Sequence, residues 1–231
     1  MKISKIDKKL DELGIDTFNL SQTFYLSTTI SRDIVDDMSS LASEILESKE
    51  SRDYSQYLAG EIQDGQQVEI SSNKLKDLRA VDFIETIESL SSLFVERYFS
   101  LLRLKHSPSF TCEINDMWIV SQLAGDFNPP HRHLIRSNCG LSGVIYLKIP
   151  DQICEERKDG CFQFIWGPES RFDISRFSLP NIESITPTPG QIILFPHSLT
   201  HQAFPFRGVG ERICVPFNVN VWPSHGEQWR I

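Results

Sequence analysis

The chain lacks any stretch approaching the roughly 18 consecutive apolar residues of a membrane-spanning helix, which argues against a helical membrane protein. Its start, Met1-Lys2-Ile3-Ser4-Lys5-Ile6-Asp7-Lys8-Lys9, runs into charge rather than into an apolar signal core, so the expected setting is soluble and cytoplasmic. Positive charge is in deficit, with 23 basic against 31 acidic residues and a net charge of -8. That balance opposes a nucleic-acid partner, which would need a basic face. Cysteine is sparse, and the five present, Cys112, Cys139, Cys154, Cys161 and Cys214, are odd in number and form no C-x-x-C pair. A zinc ribbon or dithiol motif is thereby excluded, and reduced thiols are expected. No internal repeat and no low-complexity tract interrupts the 231 residues, a length that can bury roughly 70% of the unfolded surface in one domain.

What is present divides into two halves. Residues 1–105 carry mainly helical periodicity. Ser31 is placed to cap a helix with apolar positions Ile34, Val35, Met38, Leu41, Ile45 and Leu46. A longer run from about Leu75 to Leu104 repeats apolar residues at steps of mostly three and four, through Leu78, Val81, Ile84, Ile87, Leu90, Phe94, Tyr98, Leu101 and Leu102, with Phe83 and Leu93 widening the stripe. Thr23 to Leu26 reads as a short strand, and Asp64-Gly65-Gln66-Gln67 reads as a surface loop.

Residues 106–231 read instead as strands bounded by Gly, Pro, Asn or Asp: Thr111 to Leu123, Ser142 to Ile149, Cys161 to Trp166, Gln191 to Phe195 and Arg212 to Val221. In the last of these, Ile213, Val215, Phe217, Val219 and Val221 share one face, and Arg212, Cys214, Pro216, Asn218 and Asn220 share the other. Helices are expected against the apolar face and a site on the polar one. The predicted architecture is α+β with a mainly β core, a jelly-roll-like, cupin-like barrel covered by amino-terminal helices.

The chemistry-bearing residues are concentrated in this second half. His131 and His133 lie two apart in Asn-Pro-Pro-His-Arg-His, so on an extended segment both imidazoles reach one side. His201, on a neighbouring strand, would complete a three-point metal cap that leaves about half an octahedral shell open. The His-x-His pair alone is weak, since 6 histidines in 231 residues give about 0.13 such pairs by chance; its context carries the argument. Pro129 and Pro130 favour a turn before His131. Arg212 follows His201 by 11 residues with Pro205, Gly208 and Gly210 between, which fits a strand end, a turn and a return strand. Its guanidinium matches a carboxylate, whereas a structural salt bridge is the plainer alternative. Asp126 is a rival for the third ligand position should His133 stand behind the metal. Tyr146 would face the site only if its side of the strand points inward. His197 follows a strand-like run and precedes His201 by four, without the helix that an H-x-x-x-H pair needs. His106 and His225 read as solvated.

At these residues the chain resembles the iron(II)/2-oxoglutarate-dependent oxygenases of bacteria and their phages, a group related to prolyl 4-hydroxylases. The resemblance rests on Asn-Pro-Pro-His-Arg-His at 128–133, Leu-Ser-Gly-Val-Ile-Tyr-Leu-Lys-Ile-Pro at 141–150, Pro-Gly-Gln-Ile-Ile-Leu-Phe-Pro at 189–196, His201, and Glu-Arg-Ile-Cys-Val-Pro-Phe-Asn-Val at 211–219. It is good over about Trp118 to Val221 and loose before that. It implies a double-stranded β-helix that binds Fe(II) and 2-oxoglutarate and hydroxylates a small-molecule or peptide substrate, releasing succinate and CO₂. His131 and His201 match the two histidine ligands, and Arg212 matches the residue holding the far carboxylate of 2-oxoglutarate, with Tyr146 a candidate second contact. Two departures stand out. His133 occupies the position where most relatives have Asp or Glu, and Cys214 stands where Arg-x-Ser is commoner. A cupin-like metal enzyme that does not use 2-oxoglutarate, and a noncatalytic binding module on the same barrel, are the alternatives that this pattern leaves open.

Overall fold

The structure is a computed structural model. It describes residues 23–48, 53–55, 62–63, 65–71, 73–101, 109–133, 139–157, 159–166 and 182–224, so His106 and His225 lie outside the described residues. Helix α1 (Arg32–Glu47) begins as its sequence directs: Ser31 is extended and its side chain accepts a hydrogen bond from the Ile34 backbone N–H. Met38, Leu41, Ala42 and Ile45 form its buried stripe.

Helix α2 (Leu78–Leu101) is rotated from the face expected above. Its seam runs through Ala80, Phe83, Ile87, Ser91, Phe94, Val95 and Phe99, while Leu78 is 88% and Leu93 is 56% exposed. The small side chains of Ala80 and Ser91, which an apolar count passes over, belong to the buried stripe alongside the bulky ones.

Among the described residues ten strands form two sheets: β1 (Leu26–Thr29), β2 (Gln66–Glu69), β3 (Phe110–Gln122), β4 (Asn128–His131), β5 (Cys139–Lys148), β6 (Phe162–Ile165), β7 (Ile182–Ile185), β8 (Gln191–Pro196), β9 (Thr200–Ala203) and β10 (Arg212–Pro223). The larger sheet has the order β1-β8-β5-β10-β3-β2 and the smaller β4-β9-β6-β7. Within each sheet the strands pair antiparallel. The first half of the chain is therefore more than a helical cover, because β1 and β2 form both edges of the larger sheet. Gln66 and Gln67, read as loop, lie in β2, and the strand expected at Thr23 to Leu26 starts at Leu26.

Strand β10 separates the two interiors. Val215, Phe217, Val219 and Val221 join the core beneath the helices, where Phe83 of α2 meets Phe217 edge-on at 6.2 Å between ring centroids. Burying a Phe of this kind contributes roughly 1.5–3 kcal/mol. A Cβ on Gly143, opposite Phe217 in the register with β5, would collide with that ring. Between the two sheets lies a second core that includes Val120, Val144, Tyr146, Phe162, Phe164, Phe195 and Cys214, and it opens into a pocket. Among the described residues no helix is long and apolar enough to cross a membrane.

Candidate metal and anion site

The pocket has a volume of about 470 Å³. Its floor is built by the inward faces of three strands: Asp116, Trp118, Val120 and Gln122 from β3; Arg212, Cys214, Pro216 and Asn218 from β10; Ser142, Val144 and Tyr146 from β5. The polar face of β10 thus looks into the site as its alternation predicted, apart from Asn220, which bonds Asn115.

His131, His133 and His201 come together, with one ligand atom of each within 4.8 Å of the others. His131 on β4 is paired directly with His201 on β9. The His131 Nδ1–H donates to the Pro129 carbonyl at 2.7 Å and the His201 Nδ1–H to the Leu199 carbonyl at 3.0 Å. A carbonyl only accepts, so these contacts place the proton on Nδ1 and leave the Nε2 lone pair of each ring for a metal. His133 sits where the two sheets meet: its backbone N–H donates to the carbonyl of His197, just past β8, at 3.1 Å. Its ring hydrogen-bonds the Asn218 amide.

The prolines behave differently from expectation. Pro129 and Pro130 lie within β4, not before it, because β4 is the sheet edge and its register with β9 shifts between Asn128 and His131. An edge strand with a bulge tolerates two residues that cannot donate to the ladder.

Burial favours the neutral form of two of the three rings. It lowers His201 to about 3, with His131 adding to the effect against the Leu199 hydrogen bond. His133 falls to about 4, chiefly through burial, then through His131 and His197, against the Asn218 hydrogen bond and the charge of Asp116. Aromatic rings enclose His201, with the Phe195 centroid at 4.6 Å and the Phe162 centroid at 5.5 Å. His197 is buried beside His133, 6.1 Å between centroids, and outside the three-ring cluster.

Asp126 does not serve as the third member. Its Oδ1 accepts from the Gln63 N–H at 2.9 Å and its Oδ2 from the Leu123 N–H at 2.8 Å, so both oxygens are spent on backbone at the turn after β3. The carboxylate reading is corrected: it ties loops together.

Arg212 is 1% exposed, and every partner it has is a neutral oxygen. Nε and Nη2 donate to Gln122 Oε1 at 3.0 and 2.6 Å, and Nη1 donates to the Gly160 and Phe204 carbonyls at 2.7 and 3.2 Å. The Phe206 ring lies 5.8 Å from the guanidinium carbon. Among the described residues no carboxylate pairs with it; the adjacent Glu211 bonds Ser121 and Lys148 instead. The salt-bridge alternative therefore lacks a partner, and burying an uncompensated cation costs several kcal/mol. An anion entering beside it would offset that cost. Tyr146 faces inward, and burial pushes its hydroxyl above the usual range, with Cys214 adding and Arg212 opposing, so it remains a neutral donor. Burial likewise raises the Cys214 thiol to about 11, against the charge of Arg212.

Sequence reasoning missed Gln122, Asp116 and Trp118 as parts of this site, whereas Asn218 lies on the polar face of β10 where the site was expected. The alternation of β3 could have found all three, since Asp116, Trp118 and Gln122 share parity with Val120.

Two antiparallel sheets with a three-histidine cluster between them form a double-stranded β-helix. Solved structures agree on that fold. The chain is similar to a Pseudomonas putida prolyl-4-hydroxylase (13% identity, TM-score 0.55, covering 93% of this chain and 96% of that one). It is similar to the epimerase SnoN solved with Fe3+, alpha-ketoglutarate and nogalamycin RO (13%, TM-score 0.59, 89% and 84%). A prolyl hydroxylase from Trichoplax adhaerens, solved with a hypoxia inducible factor peptide fragment, also matches (12%, TM-score 0.54, 90% and 89%). No curated protein matches by sequence. Residues 116–218 match the family described as "Putative 2OG-Fe(II) oxygenase", and this segment carries the three histidines, Arg212 and Tyr146.

Proposed function

We propose that the protein is an Fe(II)/2-oxoglutarate-dependent dioxygenase that hydroxylates its substrate and releases succinate and CO₂. The observation that carries this reading is the pairing, in one pocket, of three imidazoles whose ligand atoms lie within 4.8 Å of one another with a buried guanidinium that has no carboxylate partner among the described residues. His131, His133 and His201 would hold the metal, and Arg212 with Tyr146 would hold the far carboxylate of 2-oxoglutarate. Iron bound there would supply the oxidative chemistry in which 2-oxoglutarate is decarboxylated and one oxygen atom of O₂ enters the substrate.

The chain's own residues then do three things. The Nδ1 contacts to Pro129 and Leu199 keep both rings in one tautomer. Phe162 and Phe195 shield His201 from water. Arg212 and Tyr146 orient an anion along the floor, the guanidinium by charge and the hydroxyl by donating its proton. Bidentate capture of the carboxylate is not the form this takes, because Gln122 already occupies Nε and one N–H of Nη2. A pocket of about 470 Å³ suits a small molecule or one peptide side chain as substrate, the two classes present in the structures of SnoN and the Trichoplax enzyme.

The test is anaerobic titration with Fe(II) and then 2-oxoglutarate, followed by O₂ and a succinate assay. The expected result is ordered binding and succinate release that requires iron. Metal binding without 2-oxoglutarate binding would instead identify a cupin-like metal enzyme, and binding of both without succinate a noncatalytic module.

A further inference from the structure

Arg212 of β10 and Gln122 of β3 are directly opposite in register, and the two side chains could have met in either of two ways. Arginine has only donors, whereas a carboxamide offers an oxygen at one end and an NH₂ at the other. The Gln122 oxygen faces Arg212, accepting from Nε at 3.0 Å and Nη2 at 2.6 Å. Turned round, the amide would oppose N–H to N–H in a place where Gln122 and Arg212 are each 1% exposed. The outward NH₂ must then find an acceptor, and it donates to Asn128 Oδ1 at 2.9 Å. Asn128 is the first residue of β4, three before His131. One amide thus joins the anion end of the pocket to the strand that carries a metal-facing histidine.

We propose that Gln122 and Asn128 are positioning residues for the anionic cosubstrate, with Asn128 acting through Gln122 and not by contact. The inference rests on the reading of Arg212 as the 2-oxoglutarate anchor. Gln122, Gly160 and Phe204 together engage all the guanidinium N–H groups but one, on Nη2. The direction in which that last donor points is therefore set by the brace. Without the Asn128 oxygen, the buried NH₂ of Gln122 loses its acceptor, the amide is free to turn or shift, and Arg212 loses the aim of its free donor.

The experiment is calorimetric titration of 2-oxoglutarate into Mn(II)-loaded protein, which binds without turnover, for wild type, Arg212→Ala, Asn128→Ala, Gln122→Met and the Asn128→Ala/Gln122→Met double variant. Mn(II) affinity is measured for each. The expected result is a loss of about tenfold in 2-oxoglutarate affinity for Asn128→Ala with Mn(II) affinity held, a loss at least as large for Gln122→Met, and no further loss in the double variant, as for two residues in one hydrogen-bond network. Asn128→Ser, whose hydroxyl is too short to reach Gln122, should repeat the effect and serves if the alanine variant fails to fold. Wild-type affinity in Asn128→Ala or Asn128→Ser overturns the proposal. So does an equal loss in the Gln122→Met background, which would mean that Asn128 touches the ligand directly. Binding that ignores Arg212→Ala would overturn the anchor reading itself, and the two failures are told apart by that variant.

Discussion

His131 and His201 are directly paired across β4 and β9, with ring centroids 4.2 Å apart, and each fixes its tautomer by the same local device. In both, Nδ1–H bonds the carbonyl two residues back along the chain, Pro129 within β4 in one case and Leu199 just before β9 in the other. Neither ring depends on a distant partner for its orientation. The chain segment that positions the imidazole also holds it, which keeps the unprotonated nitrogens convergent in a wall of aromatic rings. His133 lacks that device and leans on Asn218 and on the chain end of β8.

Replacing either paired histidine should therefore abolish metal binding while leaving the fold intact. His131→Ala and His201→Ala each remove one of three candidate imidazole donors, and the helix-side core around Phe83 and Phe217 does not include them. The expected outcome is no Fe(II) uptake by anaerobic equilibrium dialysis, with apo melting temperatures within a few degrees of wild type. Iron binding at wild-type affinity in both variants would remove these residues from the ligand set.

The depressed histidines also set a pH dependence whose sign follows from their burial. His133 and His201 titrate near 4 and 3 when folded, against about 6.5 for an ordinary histidine in the unfolded chain. Below about 6.5 the unfolded chain takes up protons that the folded one refuses, so stability from these groups is complete above that pH and is lost as pH falls toward 4 and then 3. Urea melts of the apo protein between pH 7.5 and 4.5 should show a steady loss that is shallower in a His133→Gln/His201→Gln double variant. Equal slopes would show that the two rings are not buried neutral. Proton competition with metal at these two residues should likewise set in well below the pH 6.5 expected of a free imidazole.

Much of this site was legible because its parts repeat at a strand's period of two. The alternation in β10 correctly separated Val215, Phe217, Val219 and Val221, facing the helices, from Arg212, Cys214, Pro216 and Asn218, facing the pocket. The motifs around His131, His133 and His201 supplied the rest of the cluster. Pairing between strands was not legible. That Gln122 braces Arg212, or that Ser142 donates to Asn218 beside His133, depends on register between segments 76 to 90 residues apart, which no local pattern encodes. Likewise an apolar count on α2 passes over Ala80 and Ser91 and takes in the exposed Leu78 and Leu93, and Pro129 and Pro130 read as a turn because only an edge strand tolerates them.

Arg212→Ala should weaken 2-oxoglutarate binding by about 2–5 kcal/mol, the usual consequence of removing a buried charge partner. It should also lower stability, since Gln122 Oε1 and the Gly160 and Phe204 carbonyls all lose their donor. Arg212→Lys should restore only part of either quantity, because one ammonium cannot reach three acceptors spread around a planar fork. Calorimetry and thermal melts on the same samples check both, and a lysine variant equal to wild type in both would show that charge alone matters.

His133 is the candidate ligand that departs from the usual pattern. His133 brings a neutral nitrogen where most prolyl hydroxylase relatives have a carboxylate, and Asn218, held by Ser142 at 3.0 Å, stands beside it. His133→Asp should keep iron binding, since it restores a charged oxygen donor at the same strand position, and should permit succinate release. His133→Ala should lose iron affinity by more than the roughly 10–100-fold expected when only a supporting residue behind the ligands is removed. The measurements are iron affinity and succinate release for wild type and both variants. Undiminished iron binding in His133→Ala would mean that His131 and His201 find their third donor elsewhere, and Asp116, the carboxylate in the pocket wall whose charge reaches His133, is the residue to test next.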